Sequence, residues 1–176
     1  MNRLTADFFR RPCDRVALDL VGKCIVKGGT VLRITETEVY WGESDTACHA
    51  HKGRTRRTEV MYAPGGTLYV YLCYGIHWML NIVTGEADDP QAVLIRACAE
   101  APGPGKLTKK LCVTGHYNGL SLPLAGDLWI GDDGIRCAVS RHPRVGIGYA
   151  SEEDQARLWR FKMEKVLDCT SDNSVL

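Results

Sequence analysis

Net charge is almost absent: 22 Lys and Arg stand against 21 Asp and Glu, leaving +1 over 176 residues. A chain so balanced is no general binder of polyanions, and any contact with nucleic acid has to come from a local patch. No CxxC pair occurs among the eight cysteines, which stand singly at Cys13, Cys24, Cys48, Cys73, Cys98, Cys112, Cys137 and Cys169. Several lie within apolar runs, which fits buried free thiols in a reducing compartment rather than a disulfide framework. No signal-peptide pattern opens the sequence, so an intracellular protein is expected. Between Val60 and Gly85 there is no Asp, Glu, Lys or Arg, a run long enough to cross a bilayer. Pro64, Gly65-Gly66, Gly75, His77, Asn81 and four tyrosines through its middle argue against a span, since tyrosine belongs at a bilayer's rim. Two strands joined near Tyr74-Gly75 are expected instead, with no membrane segment. Repeats, low-complexity blocks and interdomain linkers are missing too. Residues 1–176 are therefore expected to form one domain, with 170–176 as a frayed tail, and at this length roughly 70% of the unfolded surface can be buried.

What is present reads as strands with a few helices. Thr5 to Leu20 has helical character, with Asp14 placed to cap a second helix from Arg15 to Val21 and Gly22 to stop it. Lys23–Lys27 and Val31–Trp41 predict two strands closed by a turn at Gly28-Gly29. The stretch Glu43–Pro64 is polar, basic and turn-rich, a long functional loop. Thr67–Tyr74 and Ile76–Thr84 predict a tyrosine-bearing β-hairpin, and Ala92–Ala99 a further strand. After Pro102-Gly103-Pro104-Gly105, Leu107 and Leu111 at helical spacing predict a short amphipathic helix with Gly115 as its stop. Leu128–Ile130, Ile135–Val139 and Arg144–Tyr149 predict short strands, and Trp159–Phe161 a packed segment before the tail. The fold class is α+β: a single compact domain of mainly antiparallel strands with flanking helices and a protruding tyrosine hairpin.

Chemistry concentrates in three places. Glu36, Glu38 and Tyr40 alternate along one strand and so share a face. A strand with two acids on one side either meets water or uses them. Tyr69 and Tyr71 share a face of the hairpin; core packing accounts for Tyr69. A large aromatic at the hairpin tip, Tyr74, is the kind of residue that wedges between base steps. Cys48-His49-Ala50-His51 has the look of a metal ligand set, but no second cluster at ligand spacing accompanies it, so a hydrogen-bonding or stacking histidine is expected and no metal. Lys52, Arg54, Arg56 and Arg57 form the densest basic patch. Gly103-Pro104-Gly105-Lys106 offers backbone amides at a helix start, a place for phosphate. A strand, not a helix, precedes those glycines, which excludes a helix-hairpin-helix motif.

Together these segments resemble the alkyladenine (3-methyladenine) DNA glycosylases. The resemblance is carried by Ile34-Thr35-Glu36-Thr37-Glu38-Val39-Tyr40 leading to His49, then Gly53-Arg54-Thr55, Gly66-Thr67-Leu68-Tyr69-Val70-Tyr71, Tyr74-Gly75 and Asn81. Leu94-Ile95-Arg96-Ala97, Gly103-Pro104-Gly105-Lys106-Leu107, Arg144-Val145-Gly146-Ile147-Gly148 and Trp159-Arg160-Phe161 continue it in order, from about Leu4 to Phe161. The family implies a monofunctional, cofactor-free base-excision enzyme acting as a monomer on double-stranded DNA with damaged purines, in the cytoplasm or at the nucleoid. It implies Glu38 as the base that activates water and Arg96 as the group holding water and acid. Tyr40, His49 and Tyr71 would line the pocket for a flipped base, Asn81 would exclude guanine, and Tyr74 would fill the gap in the duplex. Lys52, Arg54, Arg57, Gly105 and Lys106 would meet the DNA backbone. Two departures stand out. Arg56-Arg57-Thr58 follows Gly53-Arg54-Thr55 where the family has Pro-Arg-Asn, which loosens a turn and adds a charge, and Leu158 replaces a proline before Trp159.

Two other readings fit part of the chain. Glu36 and Glu38, roughly 7 Å apart from strand rise, match the spacing of an inverting carbohydrate hydrolase, which leaves Tyr74 and the basic loop unexplained. A non-catalytic damage-binding module would keep the pocket and have no need of Glu38. No lysine stands at an obvious nucleophile position near the acids, which favours hydrolysis over Schiff-base cleavage.

Overall fold

The computed structural model describes residues 1–167; the expected frayed tail at 170–176 lies outside them. In chain order the elements are β1 (Asn2–Arg3), α1 (Ala6–Phe9), α2 (Cys13–Leu20), β2 (Cys24–Lys27), β3 (Thr30–Tyr40), β4 (Leu68–Cys73), β5 (His77–Thr84), β6 (Gln91–Cys98), α3 (Pro104–Lys110), β7 (Leu128–Asp132), β8 (Arg136–His142), α4 (Glu152–Ala156) and β9 (Arg160–Leu167). Single 3₁₀ turns cover Gly42–Ser44, His49–Lys52 and Glu59–Tyr62 in the long connection from β3 to β4, and a fourth covers Gly115–Tyr117. The α+β class and the antiparallel sheet agree with the sequence.

The strands form one antiparallel sheet in the order β1-β7-β2-β3-β6-β5-β4, with β9 beside β3 and β8 beyond β9. β3 is the organising strand. One edge pairs with β6 from Ile34 to Tyr40, while the other meets β2 along Thr30–Arg33 and β9 along Glu36–Glu38. The β3–β6 ladder carries a bulge around Glu36, a device that re-aims side chains where a strand serves a site.

Period-two alternation gives the sheet two different faces. Val39, Val93, Ile95, Ile82, Leu80, Val70 and Leu68 point to the main core, where Phe9, Val16, Leu20 and Leu107 from the helices cover them. The opposite face carries Glu38, Tyr40, Ala92, Asn81, Tyr69 and Tyr71, and is roofed by Cys48, Ala50, Met61 and Tyr62 of the long connection. The helices thus stabilise one face while the irregular loop shapes a cavity on the other.

Close approach fixes one glycine. Gly65 accepts no side chain: a Cβ there would meet the Phe9 backbone carbonyl and stand 2.8 Å from the Gly85 carbonyl oxygen. Its N–H bonds Gly85 O at 3.0 Å, and the Gly85 N–H bonds Phe9 O at 3.0 Å. Gly65→Ala is expected to cost about 1–3 kcal/mol through overpacking against rigid backbone, read as a lowered urea midpoint with an unchanged slope.

Several boundaries differ from expectation for physical reasons. The first helical stretch breaks because Pro12 disfavours helix at Arg11; α2 starts at Cys13 with Pro12 at its N-cap, and Asp14 lies in the first turn instead of capping. Helix α3 does not run to Gly115: Cys112 takes the left-handed position (φ 50°) just past its end, and Gly115 lies under the Trp78 ring. Arg144–Tyr149 is not a strand, because Arg144 is drawn into the interior by Asp45 and Gly146 turns the chain at φ 77°. Trp159–Phe161 opens a full strand, β9. Helix α4 was not expected, although Ser151-Glu152-Glu153-Asp154 carries a capping signature; the Ser151 hydroxyl accepts the Asp154 N–H at 3.2 Å.

Candidate active site

Antiparallel register lines up the key side chains in one row across four strands. Glu38 stands opposite Leu94, Leu94 opposite Asn81, and Asn81 opposite Tyr69. Directly opposed residues share a face, so these groups converge under the loop roof. Tyr40 and Arg96 join them, each two positions along its strand from a member of the row.

Glu38 is fully buried, with a relative exposure of 0%, and each of its oxygens has a defined partner. Oε1 accepts the Val145 backbone N–H at 2.9 Å and lies 3.5 Å from Arg96 Nε. Oε2 accepts the Tyr40 hydroxyl at 3.2 Å. Burial pushes the carboxyl above the ordinary glutamate value; Arg96, the Val145 N–H and the Tyr40 hydroxyl pull the other way and do not fully offset it. Glu36 is tied more conventionally, to Arg96 Nε at 3.2 Å and to Arg160 Nη1 at 2.8 Å. One arginine therefore bridges both acids while a second holds Glu36 alone, so the two carboxylates are not equivalent. Glu36 is paired with two arginines, and Glu38 lies behind the Tyr40 wall of a cavity that it does not itself line.

That cavity has a volume of about 40 Å³ and is lined by Tyr40, Ala47, Cys48, His49, Met61, Tyr69, Tyr71, Asn81, Ala92 and Tyr149. Tyr40, His49, Tyr71 and Tyr149 also line a long groove that reaches Arg96, Lys52, Arg57 and Tyr74, so the cavity opens sideways onto it. His49 lies edge-on to Tyr71, with ring centroids 4.7 Å apart, and its Nδ1 is 3.0 Å from the Tyr69 hydroxyl. Burial first, and Arg57 second, push the imidazole down to about 4. At neutral pH the ring is uncharged, and so are Tyr40 and Tyr71, whose burial raises both phenols. Asn81 donates through Nδ2 to Tyr69 O at 3.0 Å.

Other residues singled out in the sequence lie further off. Tyr74 occupies the turn between β4 and β5 with positive φ and 92% exposure, at the groove wall. Arg57 sits over the Tyr71 ring at 5.4 Å, at the mouth of the cavity. Lys52 lines the groove. Arg54 is turned away from it, ion-paired with Asp88 and stacked on Tyr62 at 4.3 Å. Gly105 is taken up by packing, since a Cβ there would come within 2.8 Å of the His77 ring, and Lys106 is exposed one residue further along α3.

Three residues of the site escaped the sequence reading, two in the cavity and one on the groove. Tyr69 was assigned to core packing, yet its hydroxyl meets His49. Tyr149 is 69% exposed and donates to Ala47 O at 2.9 Å. Val145 contributes only its N–H, which no side-chain pattern announces. Behind the cavity, Asp45 and Arg144 form a bidentate ion pair at 2.6 and 2.8 Å with both side chains fully buried. Among the described residues, no group of three or more His, Cys, Asp or Glu side chains is placed to hold a metal ion.

The comparisons with known proteins converge on one family. The family model for methylpurine-DNA glycosylase matches residues 7–102 and 99–166. A protein of Psychrobacter cryohalolentis provisionally named 3-methyladenine DNA glycosylase is 42% identical, with 88% of each chain covered. Proteins with the same provisional name from Methanocella arvoryzae and Rickettsia rickettsii are 40% and 37% identical, covering 96% and 98% of this chain and 95% and 96% of theirs. The chain belongs to the methylpurine-DNA glycosylase family. It is thus a DNA glycosylase, a hydrolase of DNA repair whose substrate is DNA. No helix among the described residues is long and apolar enough to cross a membrane.

Proposed function

We propose that this enzyme flips a damaged purine of the 3-methyladenine, 7-methylguanine, hypoxanthine or ethenoadenine type out of duplex DNA and hydrolyses its N-glycosidic bond. Glu38 takes a proton from water as the water oxygen bonds C1′ of the sugar. The C1′–N bond breaks, its electron pair leaves with the base, and an abasic site remains. Arg96 holds the carboxylate and water in line, and the negative charge of Glu38 stabilises the cationic sugar in the transition state. Tyr40, His49 and Tyr71 stack on the flipped base, with Tyr69 and Tyr149 as further walls. Their neutral rings suit a purine that methylation has made cationic, since such a charge is drawn to π faces. Asn81 disfavours normal guanine by a clash with its 2-amino group, a penalty that 7-methylguanine, which keeps that group, offsets with its cationic ring and weakened glycosidic bond. Tyr74 fills the gap in the duplex, while Lys52, Arg57 and Lys106 meet phosphates. The enzyme works as a monomeric single domain, wherever the chromosome lies.

The observation that carries this reading is a buried carboxylate, of raised proton affinity, at the side of an aromatic cavity opening onto a groove with cations on its rim. Incubation without metal with duplexes carrying hypoxanthine, ethenoadenine or methylated purines, followed by alkali, should give strand breaks at the lesion. Intact strands for every lesion would overturn the assignment. Flipping costs a few kcal/mol and base–aromatic stacking returns about 1–3 kcal/mol. Tyr74→Ala is therefore expected to weaken lesion-duplex binding about 5- to 150-fold in a fluorescence-anisotropy titration, and unchanged affinity would remove Tyr74 from its role.

A further inference from the structure

The Asp45–Arg144 pair lies outside the cavity lining, yet it adjoins two of the groups that orient the carboxylate, Tyr40 and the Val145 N–H. Arg144 donates Nη1 to Asp45 Oδ2 at 2.6 Å and to Val39 O at 2.9 Å, and Nη2 to Asp45 Oδ1 at 2.8 Å. Its guanidinium lies 5.1 Å from the Tyr40 ring centroid and 5.0 Å from that of Trp159. Asp45 in turn accepts the Trp41 N–H and the Ala47 N–H, both at 3.0 Å. The next residue after Arg144 is Val145, whose N–H holds Glu38. Val39, between Glu38 and Tyr40, is the residue whose carbonyl Arg144 grips.

We infer that Arg144, clamped by Asp45, is a positioning residue for the reaction: it sets the Val145 N–H on Glu38 and braces the Tyr40 ring, so base and pocket wall share one buried anchor. A fork is required for this. Two nitrogens meet the carboxylate while the same plane lies along an aromatic ring and reaches a carbonyl, and the point charge of a lysine can do only one of these at a time. The inference rests on Glu38 being the base. The groups facing Glu38 are Glu36 and Tyr40 from β3, Arg96 from β6, and Arg144 with the Val145 N–H from the segment after β8; the variants below act on the last pair directly and on Tyr40 through its contact with Arg144.

The test is single-turnover excision across pH by Arg144→Lys and Asp45→Asn. Arg144→Lys should slow excision about 10²-fold, the scale of a misplacement near 1 Å, and move the acid limb of the rate profile to higher pH as the carboxylate loses its amide donor. Asp45→Asn should also slow excision per folded molecule, while the Arg144 charge it leaves unpaired favours the ionised carboxylate and moves the limb to lower pH. Leu128→Ala, in the core at β7, serves as a control that lowers stability without moving the limb. An acid limb that stays in place or moves down in Arg144→Lys, with rates of both variants tracking only the folded fraction, overturns the inference. If Arg144→Lys does not fold, Asp45→Asn, which keeps the shape of the side chain, carries the decision through its excision rate per folded molecule, and an unchanged rate overturns the inference. In the wild-type protein the Val145 amide proton should titrate together with the acid limb, and a flat amide shift also overturns it. Failure of the underlying assignment looks different: Glu38→Gln would then excise normally, whereas a dead Glu38→Gln with unmoved Arg144 and Asp45 variants sinks the positioning role alone.

Discussion

Glu38→Gln is expected to release no detectable base while still binding a lesion duplex with wild-type affinity. The amide keeps the shape, and one oxygen to accept the Val145 N–H, but it can neither take a proton from water nor face a cationic sugar with negative charge. A positioned base alone is worth about 10²–10⁴ in rate, and the lost electrostatic stabilisation adds to it. Single-turnover excision measured beside an anisotropy titration separates the two properties. The same variant makes a prediction about stability. The folded-state proton affinity of Glu38 is raised, burial being the first cause. Such a group contributes stability fully below its unfolded value and loses it as pH rises through the folded one. At neutral pH its ionised form therefore weighs against the fold, and Glu38→Gln should unfold at a higher temperature than wild type, with the gap closing as pH falls below the unfolded value. In catalysis the sign is the opposite: the wild-type rate should fall on acidification through a limb lying above the ordinary glutamate value. A Glu38→Gln protein that is less stable at neutral pH would contradict this account.

Arg144→Ala is expected to produce the largest loss of stability of any single surface-to-core truncation near the site. Both partners of the Asp45–Arg144 pair are fully buried, and removing one leaves the other as an uncompensated charge. Breaking such a pair costs about 3–5 kcal/mol. In a protein of this size that corresponds to a Tm lower by roughly 6–20 °C, measured by calorimetry. Replacing both residues by apolar ones of similar volume should recover much of the loss, because burying a pair is nearly break-even against hydrophobic packing. The double replacement would leave Glu38 without its organised Val145 donor, so recovery of Tm without recovery of excision is the expected pattern.

Much of the cavity was legible because its residues sit on regular strands. Glu38 with Tyr40, Tyr69 with Tyr71, and Asn81 follow alternation, and the resemblance supplied their neighbours in the same order along the chain. What escaped was contributed by distant or irregular backbone. Val145 reaches Glu38 across 107 positions and Arg144 reaches Asp45 across 99, and neither separation leaves a local pattern. The β-branched look of Arg144–Tyr149 pointed to a strand, whereas its interior arginine and turning glycine make it a brace. Strand β9 reads short in the sequence because Lys162, Glu164 and Lys165 interrupt its apolar residues; their side chains meet water although the strand is paired on both sides, with β3 and β8. Tyr69 was assigned to packing because a buried tyrosine usually is packing, and only the partner of its hydroxyl distinguishes the two cases.

The thiol in the cavity lining has a chemical character set by its surroundings. Cys48 is buried there, and burial pushes its sulfur up to about 11; Cys13 and Cys98, deeper in the protein, rise to about 12. Sulfur attacks electrophiles as the thiolate, so at neutral pH Cys48 meets an electrophile in the cavity as a thiol, the weaker nucleophile.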